Sequence, residues 1–176
     1  LYIGRFVHNN GIQDLLTALP AILDSHPDAE IHLVGSGPLG EEVQKTIQSS
    51  GLSDSVTIYD YVDDISEMYD RASVFCRPSY SEGLPLTMLE AMASGVPPVV
   101  TAIAGVPEVV TDDETGVLLD PGNPDEVAQA VIELFDDAEL RARLATDARE
   151  YITENLTWEQ RTKKVMRVYT QVVTND

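Results

Sequence analysis

Short apolar runs alternate along this chain with longer stretches whose apolar residues recur every three or four positions. The runs read as buried strands and the stretches as helices. Leu1–Phe6, Glu30–Val34, Val56–Tyr59, Val74–Arg77, Pro97–Thr101 and Gly116–Leu119 are the predicted strands. Asn9-Asn10-Gly11 introduces a helix carrying Ile12, Leu15, Leu16, Leu19 and Ile22. A second helix runs from Leu39 to Ser50 and is closed by Gly51, and a third, Asp63–Ala72, turns Ile65, Met68 and Tyr69 inward. Gly105–Val110 reads as a short helix, and Pro124–Phe135, Ala138–Thr153 and Trp158–Val173 as longer ones. Val165, Val168, Tyr169, Val172 and Val173 give the last helix an apolar stripe that suits packing on something beyond this chain. Strands that are continuously apolar and alternate with helices predict an α/β fold, a doubly wound, Rossmann-like parallel sheet of about six strands.

One stretch breaks the pattern. Ser81–Gly95 reads as a loop that becomes a helix at Leu84-Pro85 and stops at Gly95. Proline suits a first helical position and glycine a helix exit. The helix between them is apolar on nearly every side, which predicts burial all round, and Glu90 is its only charge. Glu82 lies eight residues earlier, beside a helix start whose free N–H groups favour anions. In such a sheet ligands bind where loops leave the C-terminal strand ends. The loops there are Arg5–Gly11, Gly35–Pro38, Asp60–Asp63, Ser79–Gly83 and Ala102–Glu108.

Composition narrows the classes. With 30 Asp and Glu against 11 Lys and Arg, the net charge is −19, a surface that repels nucleic acid and anionic membranes and suits a salt-loving source. At 176 residues and 43% hydrophobic the chain is one domain, or one lobe of a longer enzyme. No apolar run reaches membrane-spanning length. Cys76 is the only cysteine and lies in an apolar run, as a packed thiol would. His8, His26 and His32 show no ligand spacing, so no metal site is expected.

Two motif readings compete. Gly35-Ser36-Gly37-Pro38-Leu39-Gly40 follows a strand, opens a helix and has Asp60 about twenty residues on, as a dinucleotide fingerprint would. That reading makes the chain an NAD-binding Rossmann domain, but it leaves Glu82, Glu90 and Gly105 without a role. The second reading uses them. Glu82-Gly83…Glu90-Ala91-Met92-Ala93-Ser94-Gly95-Val96-Pro97 resembles the Glu-x7-Glu signature of family 4 retaining glycosyltransferases. Gly4-Arg5, Val34-Gly35-Ser36-Gly37-Pro38, Tyr61-Val62, Pro78-Ser79, Gly105-Val106-Pro107-Glu108, Thr115-Gly116 and Trp158 fall in the matching order. The resemblance is to the C-terminal, donor-binding lobe of these GT-B enzymes and covers residues 1–176, with an N-terminal acceptor domain expected elsewhere.

That resemblance implies a nucleotide sugar as partner, a UDP-, GDP- or ADP-sugar as donor and no cofactor. Arg5 and the N–H groups of Leu86 and Thr87 would meet the diphosphate, while Pro85 can donate nothing. Glu90 would take the ribose hydroxyls and Glu82 the hydroxyls of the sugar, both oriented for transfer with retention. Tyr61 and Val62 would hold the base. Gly37 and Gly105 would let backbone approach the ligand, and Gly83 would border the donor. The family usually has lysine where this chain has Asn10, which removes one phosphate cation, and Arg77 is the expected substitute. Ala104 replaces a family glycine. The isolated lobe is expected to be inactive, and the full protein cytoplasmic, peripheral at most to the inner membrane face. A nucleotide-binding module without transferase activity is the alternative, and a GT-B epimerase a further one.

Overall fold

The structure, a computed structural model, describes residues 1–174, with side chains through residue 171. Its strands are β1 (Tyr2–Ile3), β2 (Ile31–Val34), β3 (Val56–Tyr59), β4 (Phe75–Arg77), β5 (Pro98–Thr101) and β6 (Val117–Leu119). All pair in parallel, as two three-stranded sheets in which β2 lies between β1 and β3, and β5 between β4 and β6. The expected six-strand sheet is therefore present as two halves. They abut at β1 and β4, where the Cys76 N–H donates to the Leu1 carbonyl at 2.9 Å. The spatial order is thus β3-β2-β1-β4-β5-β6, and the order reverses between β1 and β4. Brief strands explain the break: β1 is two residues long because the chain turns away at Gly4, short of the expected Phe6.

Period-two alternation assigns the faces. Tyr2, Leu33, Cys76 and Val99 turn to one core with Ile12, Leu19 and Ile22 of α1 (Ile12–Ser25), Val43 and Ile47 of α2 (Gly40–Ser49), and Val127 and Leu134 of α5 (Pro124–Asp136). Ile3, Val34, Phe75 and Val100 turn to the other. There they meet Met68 and Tyr69 of α3 (Ser66–Arg71), Met88, Ala91 and Met92 of α4 (Leu86–Ala93), and Ala148 and Ile152 of α6 (Ala138–Asn155). The Cys76 thiol is buried, and burial pushes its pKa up to about 12, as expected of an inert core thiol.

α4 departs from its predicted all-round burial. Met88, Ala91 and Met92 are buried, but Leu86, Glu90 and Ala93 form an exposed stripe at helical spacing. Leu86 is 71% exposed. Glu90 is therefore not a buried charge in an apolar helix. Its place is on the wet face.

α7 (Trp158–Thr174) keeps Trp158, Val165, Met166, Val168 and Tyr169 exposed, so no described residue covers its apolar stripe. The side chains of Val172 and Val173 lie outside those described. Among the described residues no helix is long and apolar enough to cross a membrane.

Candidate functional site

The reversal between β1 and β4 brings the C-terminal ends of both strands beneath the start of α4. Pro85 is the N-cap, extended at φ −67° and ψ 118°, and no side chain caps the helix. The first N–H groups, those of Leu86 and Thr87, therefore lack the side-chain acceptor that Asn123 gives α5 and Asp137 gives α6.

Loop packing sets what surrounds that helix start. Gly11 holds φ +69°, and a Cβ there would lie 1.8 Å from the Pro78 carbonyl oxygen. Only glycine permits that approach. Tyr80 N–H donates to the Asn9 carbonyl at 2.8 Å, joining the loop before α4 to the loop after β1. The Tyr80 hydroxyl donates to Asp14 at 3.0 Å, a buried carboxylate one turn into α1. Gly105 N–H donates to the Gly83 carbonyl at 3.1 Å and brings in the loop after β5. Ala104, where the family has glycine, takes φ +44°. A non-glycine residue there carries about 1 kcal/mol of strain in the site.

Within this frame five residues form one connected chain, with Thr87 joined by its hydroxyl on one side and its backbone carbonyl on the other. Arg77, at the end of β4, is 7% exposed. Its Nη1 donates to the Thr87 hydroxyl at 2.9 Å and to the Ile3 carbonyl at 3.2 Å, and its Nη2 is paired with Glu82 Oε1. Tyr69 donates its hydroxyl to Glu90 Oε2 at 2.9 Å and to the Thr87 carbonyl at 3.1 Å. The two motif glutamates are thus linked as Glu82–Arg77–Thr87–Tyr69–Glu90. Burial raises the Glu82 pKa, and the Arg77 guanidinium partly opposes that rise. The Tyr69 phenol is raised by burial and then by Glu90, so it stays a neutral donor.

The remaining predicted residues divide. Arg5 is exposed and no described residue pairs with its guanidinium, so its charge is free. Asn10 is buried instead, and its side-chain amide donates to the Arg5 carbonyl at 2.8 Å, bracing the loop that carries Arg5. Tyr61 is 78% exposed, whereas Val62 packs against the second core. The glycines make close contacts within the chain itself. A Cβ on Gly37 would meet the Phe6 carbonyl oxygen at 2.6 Å, so that close contact is with the chain's own loop. Gly105 lies against Gly83 in the same way, while Gly83 itself has open space. Gly40, which a dinucleotide fingerprint would use for close helix–strand packing, has nothing within 4 Å of a Cβ.

Tyr69, Tyr80 and Asp14 belong to the site's scaffold and were not predicted as such. Tyr69 carried only an inward-facing signal, and the other two carried none. A cavity of about 520 Å³ lies at the opposite strand ends, beside Leu1, His26, His32 and Arg71, and shares none of the five linked residues. Ligands of parallel sheets bind at the other end. Among the described residues no three His, Cys, Asp or Glu side chains gather as a metal ion requires.

The family model described as glycosyl transferases group 1 matches residues 1–151. An uncharacterized glycosyltransferase of Methanocaldococcus jannaschii is 30% identical over 171 residues, covering 96% of this chain and 44% of the relative. The GDP-mannose-dependent alpha-(1-6)-phosphatidylinositol monomannoside mannosyltransferase of Mycobacterium tuberculosis is 33% identical over 166 residues, 89% of this chain and 43% of the relative. Sucrose-phosphate synthase from Thermosynechococcus elongatus superposes with a TM-score of 0.87 at 29% identity, covering 99% of this chain and 45% of that one. The chain spans less than half the length of each.

Proposed function

The chain belongs to the glycosyl transferases group 1 family, and on that footing we propose that it is the donor-binding lobe of a retaining hexosyltransferase. The enzyme would move a sugar from a nucleoside-diphosphate sugar to an acceptor hydroxyl. One observation carries the reading: two carboxylates and a buried arginine converge on one helix start that no side chain caps. A diphosphate needs donors and positive charge there. The Leu86 and Thr87 N–H groups supply the donors, and the unpaired Arg5 supplies the charge as a bidentate fork. Glu90, exposed and oriented by Tyr69, accepts from ribose hydroxyls. Glu82 accepts from the transferred sugar and fixes its ring. Tyr61 and Val62 border the base. Charge developing on the leaving diphosphate is then stabilised by groups already in place, with no covalent role for either glutamate.

The acceptor would be read by another part of a longer enzyme, which is why this lobe alone would not transfer sugar. The uncovered stripe of α7 supports a packing partner there. A lone, unpaired Cys76 accords with a cytoplasmic setting, and a charge of −19 with working at high salt.

Calorimetric titration in molar potassium chloride with UDP, GDP, ADP and NAD tests the reading, with Glu90→Ala beside the parent. Binding of one nucleoside diphosphate, lost in the variant, is expected. NAD as the sole ligand would overturn it. A second reading, a nucleotide-binding module without transferase activity, draws on Asn10, which stands where the family has a cation and is spent on Arg5. Full-length protein that binds a nucleotide sugar but neither transfers nor hydrolyses it would establish that reading.

A further inference from the structure

Arg77 was expected to replace the missing phosphate cation, and its surroundings argue otherwise. Its guanidinium is packed beneath the start of α4, so close to β1 that a Cβ on Gly4 would lie 3.2 Å from the guanidinium carbon. Its charge is already matched by Glu82. Handing the guanidinium to a diphosphate would strand Glu82 without its counter-ion in a half-buried position, which is strongly unfavourable. Meanwhile the pair is incompletely satisfied. Glu82 Oε2 is buried and has no hydrogen-bond partner among the described residues, and neither has Arg77 Nε. Native structures seldom leave such atoms unmet, so the pair is held by packing and by its single Oε1 contact rather than by a full set of hydrogen bonds.

We infer that Arg77 is the positioning residue of Glu82: it holds the carboxylate by Oε1 and so fixes the side chain that meets the transferred sugar. The inference rests on the donor-lobe reading above and adds to it. Arg77 serves the sugar end of the ligand rather than its diphosphate. A sugar lacking the hydroxyl that Glu82 meets therefore loses its advantage over the bare nucleoside diphosphate. The Arg77 guanidinium and the Tyr2 phenol beneath it are the titratable groups whose charge bears on Glu82. Because burial holds the Tyr2 phenol above its ordinary range, Arg77 alone opposes the pull of burial on Glu82.

The test uses the full-length enzyme and the variants Arg77→Met, Arg77→Lys, Glu82→Gln and the double Arg77→Met/Glu82→Gln. Affinities are measured for UDP, GDP and ADP and for UDP-glucose, GDP-mannose and ADP-glucose. Arg77→Met should keep the parent's diphosphate affinity within about three-fold and lose the extra affinity conferred by the sugar, as Glu82→Gln does. The double variant should be no worse than either single one, because both remove the same interaction. Arg77→Lys, which keeps the charge but not the fork, should recover part of the loss. Carbon-13 carboxyl NMR, with the Glu82 signal assigned by its disappearance in Glu82→Gln, should show the Glu82 titration moving up by about one to three pH units in Arg77→Met. A ten-fold or larger fall in diphosphate affinity with the sugar's contribution intact would return Arg77 to the phosphate. An unmoved Glu82 titration would overturn the proposal outright. If Arg77→Met does not fold, Arg77→Lys and Glu82→Gln decide the same question. Failure of the parent enzyme to bind any of the three nucleoside diphosphates would refute the donor-lobe reading instead, and the NMR titration would still decide whether Arg77 governs Glu82.

Discussion

Glu82 and Glu90 stand eight residues apart and are held in opposite ways. Glu82 is half-buried in the loop before α4, gripped by a buried arginine, with one oxygen unmet. Glu90 sits on the exposed face of α4 and is oriented by a neutral phenol that reaches up from α3. The same residue type at the same helix is thus half of a largely buried ion pair in one region and a solvated acceptor in the other. The difference teaches that a spaced pair of carboxylates does not imply a shared environment. Glu82 depends on a buried charged partner, while Glu90 depends on a neutral hydroxyl and its place on the helix.

The stability of the two regions should separate most widely. Arg77→Met leaves Glu82 without its counter-ion and should cost about 3 kcal/mol in urea denaturation, much of it recovered in Arg77→Met/Glu82→Gln. Glu90→Ala should cost about 1 kcal/mol at most, because the exposed carboxylate gives up only its bond from Tyr69, whose hydroxyl keeps the Thr87 carbonyl. If both substitutions cost the same, the contrast is lost.

Nucleotide binding should rank them the other way. Glu90→Ala removes a charged acceptor and should weaken nucleoside-diphosphate binding by about 2 kcal/mol, roughly thirty-fold. Glu82→Gln should leave that affinity nearly intact and act on turnover.

A pH profile sharpens the comparison further. On the proposed donor-lobe reading transfer needs Glu82 ionised, and its pKa is raised by burial more than Arg77 lowers it. Activity should therefore fall on acidification at a pH above the ordinary glutamate range. The sign for folding is the reverse. A carboxyl whose pKa is raised in the folded state favours folding when protonated, so its contribution to stability declines as pH rises through that range.

The smallest effect should come from Tyr69→Phe. Loss of one hydrogen bond to Glu90 is worth about 1 kcal/mol and should weaken nucleotide binding about five-fold, with the Glu82 titration unmoved.

Much of this was legible beforehand. Continuous apolar strands between helices predicted the doubly wound sheet, and Pro85 and Gly95 bracketed α4. Arg77 already stood out as a charge closing an apolar strand. The errors share a cause. Apolar spacing in α4 could not reveal that Leu86 and Ala93 border open space rather than core, so Glu90 read as buried. The contacts of Asn10 with Arg5, of Tyr69 with Glu90 and of Tyr80 with Asp14 join separate elements or loops. Periodicity carries no information about such partners. A glycine at Gly37 tells that space is short there, and the structure adds that the Phe6 backbone fills part of it.

The uncovered stripe of α7 has a colloidal consequence. That helix holds Arg161, Lys163, Lys164 and Arg167, four of the 11 basic residues of an otherwise strongly acidic chain. In dilute buffer the repulsion between like-charged molecules reaches far enough to keep Trp158, Val165 and Tyr169 of one molecule from another's. At molar salt its range shrinks to about 3 Å, while the attraction between apolar faces survives. A purified sample of this lobe should therefore stay dispersed in fresh water and cluster helix to helix as brine is added.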